Sequence, residues 1–388
     1  MAILASVAFV NRDKDQAQEV RLSGGDTGQG DTESPTEAVV SNPDLPPLPE
    51  TTGPITSALP RVPRLPAVTV PRSVSTLVPA LPTCDAGRAT AFPDKSTYAI
   101  PTSGGPLTRV LTPDAGIVSL ISFSPDGARI AFTRYDRAAG TRVLRTARSD
   151  GTNETPIDAG ARNPGSVEWS PDGAYLAYLA DPVESAPQSN SVMVYRVSDG
   201  EVRRIWTGEG VPFLFWSPRG DRLAWGSVRD ADRGVWTADV AGGAARRILD
   251  DVASSEVSWS PDGRQLAVSS IERVRLVRSD TGEIVRTLAV AGRPRWSPVD
   301  PDTLVVSNGT VYVVNTVTGI HRPIGAGHID RWLPDGKGYI GDNGTNLGVY
   351  RFERSCFTAL AKGWGMSAGF DGLSPDGKTA LIRVRPTY

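Results

Sequence analysis

A chain of 388 residues, 39% of them apolar and with a formal net charge of -2, is long enough for a large buried core and has the balance of a soluble globular protein. A pI near 5.9 gives it no bulk positive field, which excludes a nucleic-acid partner held by charge. Abundant proline (32) and glycine (40) describe a chain built largely of turns and linkers.

In chain order, Met1 to Val10 is apolar, too short to span a bilayer and without the basic flank of a secretory signal. It reads either as the tail end of a membrane helix or signal, which would anchor the protein, or as a frayed apolar start. Residues 11 to 83 are rich first in Gly, Ser, Thr, Asp and Glu and then in Pro, from Pro35 to Pro82. Pro46, Pro47, Pro49, Pro60, Pro63, Pro66 and Pro71 recur too closely for helix or central strand, so an extended polyproline-II-like linker or stalk is expected, with a reach on the order of 100 Å. This divides the chain into a low-complexity segment, 1–83, and a folded domain, 84–388.

The folded part is organised by one repeated dozen, clearest at Val257 to Val268: a strand ending in Trp259, a Ser-Pro-Asp-Gly turn, and a returning strand Leu266-Ala267-Val268. Pro261 fixes φ at the second turn position, and Asp262-Gly263 is expected to supply the positive φ values of a tight reversal. Copies begin at Phe123, Trp169, Trp216, Trp259, Trp296, Trp332 and Leu373, about forty residues apart. That period, filled with short strands and turn signals, predicts an all-β, seven-bladed β-propeller of four-stranded sheets, with six blades as the alternative. The five tryptophans share one motif position, where an aromatic fills the gap between neighbouring blades. The outer turns, such as Ser149-Asp150-Gly151, Val194 to Glu201, Arg278 to Glu283 and Asn315 to Gly319, read as hairpins between third and fourth strands.

The Trp-Ser-Pro-Asp-Gly and Leu/Ile-Ala-Phe/Val/Tyr pattern resembles the TolB-like, WD-repeat-like propeller repeat, over roughly residues 95 to 388. The resemblance implies protein or peptide partners at the channel face. TolB itself carries an α/β domain ahead of its propeller, and low-complexity chain stands in that place here.

Ring closure follows from the two ends. Thr97 to Pro101 and Leu107 to Leu111 look like outer strands without a motif before them, while Leu373 to Val384 supplies two inner strands without an outer pair after them. Joined in one hybrid blade, they remove the exposed edges of an open array. That closure brings Cys84 close to Cys356, and a disulfide between them is expected outside the cytosol; two unpaired thiols are the alternative.

Enzyme signatures are weak. Gly365-Met366-Ser367-Ala368-Gly369 fits a nucleophile elbow, yet His321 and His328 both precede the serine. Two histidines seven residues apart do not make a zinc site, the Asp-Gly turns lack calcium-loop spacing, and no metal or cofactor is expected. Asn153, Asn308 and Asn343 fit the glycosylation pattern, although Asn-Gly is better explained by hairpin geometry. Function is expected in the inter-blade loops and the channel mouth. The segments entering the inner strands carry Arg162, Glu168, Glu209, Glu256, Arg293, Arg295, His328, Asp330 and Arg331. Arg295 and Arg331 stand directly before Trp296 and Trp332, which aims both at the channel, where two guanidiniums suit a carboxylate or acidic peptide. Pairing with Glu168 or Glu256 is the alternative. The loop Asp181 to Asn190 is a second candidate contact. The expectation is a monomeric, non-enzymatic, extracytoplasmic interaction module (periplasmic, secreted or anchored at the cell surface). A ligand-sensing ectodomain of a membrane-anchored signalling protein and a propeller lyase or lactonase are the alternatives.

Overall fold

Each Ser-Pro-Asp-Gly segment folds into the same hydrogen-bonded knot. At Ser260 the hydroxyl donates to Asp262 Oδ1 (2.6 Å) and accepts from Gln265 N (2.9 Å), while Arg264 N donates to the same Asp oxygen (3.0 Å) and Gly263 N to Ser260 O (2.9 Å). The pattern repeats at Ser124, Ser170 and Ser374. Only the glycine takes positive φ, +68° at Gly263. Asp262, expected to share that conformation, serves as the acceptor that gathers the turn. Where Arg219 replaces the aspartate, Asp221 takes over and accepts from Ser217 Oγ at 2.5 Å.

The computed structural model describes residues 81, 83–84, 92, 94, 96–112, 118–136, 140–157, 162–181, 189–211, 213–229, 232–250, 256–270, 272–362 and 368–384. The apolar start at Met1 to Val10, the Pro-rich stretch through residue 80, most of the Asp181 to Asn190 loop and Gly365-Met366-Ser367 lie outside them. The described residues contain strands and turns and no helix.

The strands form antiparallel four-stranded sheets, the arrangement of a β-propeller, each named here by the aromatic that ends its innermost strand. The Phe123, Trp169, Trp216 and Trp259 sheets run from innermost to outermost strand in sequence order. Seven strands between Arg293 and Lys362 are continuous, because the long strand His321–Trp332 pairs by its first half with Gly309–Asn315 and by its second half with Gly338–Asp342. It is thus the outermost strand of the Trp296 set and the innermost strand of the Trp332 set. The remaining sheet joins the two ends of the domain: Ala368–Leu373, Thr379–Val384, Thr97–Pro101 and Thr108–Leu111 lie side by side, with Tyr98 opposite Ile382. The expected hybrid sheet is present.

Packing follows from the alternation of side chains along each second strand. In Tyr175–Asp181, Leu176, Tyr178 and Ala180 face the Phe123 sheet, while Ala177 and Leu179 face the Trp216 sheet. An apolar run buried on both faces is therefore what the position requires. Buried clusters of this kind join the Phe123 sheet to the Trp169 sheet, then Trp216, Trp259, Trp296, Trp332, the terminal sheet, and back to Phe123. The circuit is closed. Three of the five motif tryptophans stitch it: the indole N–H of Trp216 donates to Glu168 O (3.1 Å), that of Trp259 to Phe215 O (3.0 Å) and that of Trp332 to Arg295 O (2.8 Å), each on the preceding sheet, whereas Trp296 donates to Pro301 O in its own (2.8 Å).

A disulfide joins Cys84 to Cys356, with Cα atoms 4.9 Å apart. Around it a strap marked by Leu81, Thr83 and Cys84 is seated on the sheets. Thr83 bridges Phe357 in parallel, Cys84 N donates to Phe357 O (3.0 Å), and Leu81 is buried among Val311, Ile329 and Phe357, where a Cβ at Gly325 would collide with it. Leu81 and Thr83, whose neighbourhood reads as linker by composition, belong to the packed structure.

Candidate functional site

Inside the circuit the innermost strands surround a common space, and the residue directly before the motif aromatic points into it at Glu168, Phe215, Arg295 and Arg331. Two contacts demonstrate this, because they join sheets that do not pack together. Arg331, on the Trp332 set, lies 3.7 Å from Glu168 Oε1 on the Trp169 sheet. Arg295, on the Trp296 set, places its guanidinium carbon 5.8 Å from the ring centre of Phe215 on the Trp216 sheet.

Glu168 also accepts from Ser122 Oγ (3.2 Å). It is walled by protein yet 32% exposed along the channel, and burial raises its pKa above the usual carboxylate range against the opposing pull of Arg331 and the Ser122 hydroxyl. Arg295 is a strut. Its Nη2 meets Glu256 Oε2 at 2.9 Å, Nη1 donates to Pro294 O (2.9 Å) and Nε to Asp330 O (3.3 Å). Glu256, 7% exposed, has Arg293 as a second and looser neighbour at 3.8 Å. Arg293 and Arg331 keep 57% and 48% of their side chains exposed. The alternative of arginines paired with Glu168 and Glu256 is thus what the geometry shows, tightly for Arg295 and loosely for Arg293 and Arg331.

On the next strands His328 Nδ1 lies 3.1 Å from Asp342 Oδ2, and Asp342 is almost fully buried, with its other oxygen accepting from Gly344 N (2.8 Å). Between this pair and the arginines stands Asp330, at an irregularity of register between Ile329 and Arg331. Its Oδ2 is buried with no hydrogen-bond partner among the described residues. Burial first, then the Asp342 charge, pushes its pKa up to about 7 against the opposing charges of Arg295, Arg293 and His328. Among the described residues no three His, Cys, Asp or Glu side chains are placed to hold a metal ion.

The structure therefore joins Arg331 to Glu168 across the central space, gathers Arg293 and Arg295 about Glu256 with Arg295 also bonded to Asp330 O, and pairs His328 with Asp342. Glu209 stands apart from these groups: it ends the outermost strand Val202–Glu209, its N–H donating to Asp232 Oδ2 (2.8 Å). Arg162 opens its strand opposite Asp181. Three contributors were not singled out from the sequence. Ser122 and Phe215 hold the same pre-aromatic position as Glu168, Arg295 and Arg331, so aligning the copies would have found them. Asp342 is the register partner of His328 across the hairpin at Pro334-Asp335-Gly336, but the irregularity between Ile329 and Arg331 shifts the register by one, so counting outward from the turn points to Ile329 instead.

No family model and no curated protein matches the chain. Solved structures do. A TolB protein of Agrobacterium tumefaciens is 18% identical, over 75% of this chain and 98% of that one, with a TM-score of 0.47. Hydrazine synthase of Kuenenia stuttgartiensis is 16% identical, over 69% and 94%, with a TM-score of 0.53. A chain of the mitotic checkpoint complex is 19% identical, over 78% and 97%, with a TM-score of 0.51. The last two likenesses establish a shared fold, and at these identities the fold alone.

Proposed function

We propose that this chain is a seven-bladed propeller, the two halves of His321–Trp332 serving different blades, and that it works outside the cytoplasm as a non-enzymatic module holding an acidic peptide segment of a protein partner at its channel. The observation that carries this reading is the looseness of Arg293 and Arg331. Both are about half exposed, and their carboxylate neighbours lie at 3.8 and 3.7 Å, too far for a good charge-assisted hydrogen bond. An entering carboxylate gains the guanidinium geometry that Glu168 and Glu256 leave unused. The TolB-like resemblance supports a protein partner, as does the likeness of fold to a chain of a checkpoint assembly. The Cys84–Cys356 disulfide supports an oxidising compartment.

The test is fluorescence anisotropy of labelled acidic, neutral and basic peptides on the intact protein and on an Arg293→Glu/Arg331→Glu variant. The reading expects acidic peptides to bind the wild type and lose about tenfold or more in the variant. Equal binding to both proteins, or no preference for acidic peptides, removes it.

A further inference from the structure

Away from the channel, a hollow of about 570 Å³ opens at the turn end of the Phe123 sheet, lined by Arg129, Arg148, Ser149, Asp150, Asn153 and Thr155 among others. Its volume falls within the range of about 300–1,000 Å³ common to small-ligand sites. Two features of its charge set it apart from the rest of the ring.

The first is the partner of Arg148. The third strand of several sheets ends in an arginine, and elsewhere that arginine meets a carboxylate: Arg196 pairs with Asp199 (2.9 Å) and Glu201 (2.5 Å), Arg278 with Glu283 (3.1 Å) and Arg351 with Asp335 (2.7 Å). Glu201 and Glu283 stand five positions after their arginines. Five positions after Arg148 the sequence has Asn153. The second feature is the residue across the ladder. Arg196, Arg278 and Arg351 face Tyr175, Gln265 and Gly338, whereas Arg148 faces Arg129. Like charges directly opposite on a sheet are unfavourable, and here Asp126 and Asp150 offset them only through space, with no ion pair to either arginine among the described residues.

One oxygen each of Asp126 and Asp150 is committed to its own turn, and both oxygens of Glu154 go to other arginines. Asp126 Oδ1 accepts from Ser124 Oγ (2.5 Å) and Ala128 N (3.0 Å), Asp150 Oδ1 from Thr152 N (2.9 Å) and Oγ1 (2.7 Å), and Glu154 receives Arg134 (2.8 Å) and Arg145. Among the described residues neither Arg129 nor Arg148 has a side-chain hydrogen bond or ion pair. The wall is firm: Ser149 N donates to Ala128 O (3.0 Å), Gly151 N to Arg148 O (2.8 Å), and a Cβ at Gly151 would strike the Val110 carbonyl of the terminal sheet.

We infer that this hollow is a binding site for a phosphate-class oxyanion, held by the Arg129 and Arg148 guanidiniums with Ser149 beside them. A single carboxylate accepts one guanidinium fork and neutralises one of the two charges. A phosphate, with close to two negative charges and three strong acceptor oxygens, answers both arginines. The ligand's remainder is small enough for the hollow, as in a sugar or glycerol phosphate.

The decisive substitution is Asn153→Glu, which restores the carboxylate that Glu201 and Glu283 supply in the other sheets. Calorimetric titration and thermal unfolding are run with inorganic phosphate and glycerol phosphate, against acetate and sodium chloride at equal ionic strength. The wild type is expected to bind the phosphates and gain Tm in them, and not in acetate or chloride. Asn153→Glu is expected to raise Tm without ligand while losing about tenfold or more in phosphate affinity, and Arg129→Ala/Arg148→Ala to lose binding without loss of Tm. Phosphate and acetate acting alike, or Asn153→Glu leaving the affinity unchanged, overturns the assignment. So does a double alanine variant that fails to fold, since the arginines would then be structural.

Discussion

Asp330 keeps one carboxyl oxygen buried beside Asp342 and is raised to a pKa of about 7, well above the value it takes in the unfolded chain. Between about pH 4 and pH 7 the native state therefore holds a proton that the unfolded state releases, so this group's contribution to stability falls as pH rises through that window. Asp330→Asn is expected to raise Tm at pH 8 by more than at pH 5; an equal change at both pH values contradicts the assignment. The signs of the channel charges were legible in the sequence, because Arg295 and Arg331 precede motif tryptophans. Their partners were not. Glu168 is distant from Arg331 in sequence and joined to it only by ring closure, and the face on which Asp330 falls depends on the local irregularity between Ile329 and Arg331.

The turns show what one repeat does well. Glycine at the fourth position is needed for φ, but the cost of replacing it depends on the neighbouring sheet. At Gly263 an added Cβ meets nothing closer than Arg219 Nε at 3.6 Å, whereas at Gly377 it lies 2.8 Å from Pro334 Cδ. Gly263→Ala is expected to cost about 1 kcal/mol and Gly377→Ala more, measured by urea unfolding. Reversal of that order refutes the steric argument. Trp259, 7% exposed and donating to Phe215 O, couples the turn to the preceding sheet, so Trp259→Ala is expected to cost about 3–5 kcal/mol by the same measurement. A cost below about 1 kcal/mol would show that the tryptophan is not a packing element. Turn, aromatic and returning strand were all readable locally because each acts over a few residues. The role of Asp262 differs from what its sequence suggests: a Pro-Asp-Gly sequence is compatible with positive φ at either residue, and the serine hydroxyl decides that aspartate becomes an acceptor.

At the scale of the molecule, closure was legible because two incomplete sets of strands, at Thr97–Leu111 and Leu373–Val384, lacked partners that only the other could supply. The strand shared between the Trp296 and Trp332 sets was not, since Gly327, which takes positive φ where one sheet ends and the next begins, reads in sequence like any other loop glycine. Nor was the seat of Leu81, an apolar residue in a proline-rich context whose burial is decided by Gly325 and Phe357. The disulfide spans 272 positions, and its removal by Cys84→Ser/Cys356→Ser is expected to cost about 2–5 kcal/mol, matched by the wild type in reductant. A variant as stable as the oxidised protein would show that Leu81 and Thr83 hold the strap unaided.

That strap also decides how the domain meets a mechanical load. A pull on the chain ahead of Leu81 arrives at Cys84 and passes through sulfur to Cys356, on the outer strand Cys356–Lys362. Strand Thr97–Pro101, whose pairing with Thr379–Val384 locks the circuit, lies downstream of that crosslink and is shielded from the tension. The seam that closes the ring is thereby kept out of the line of force.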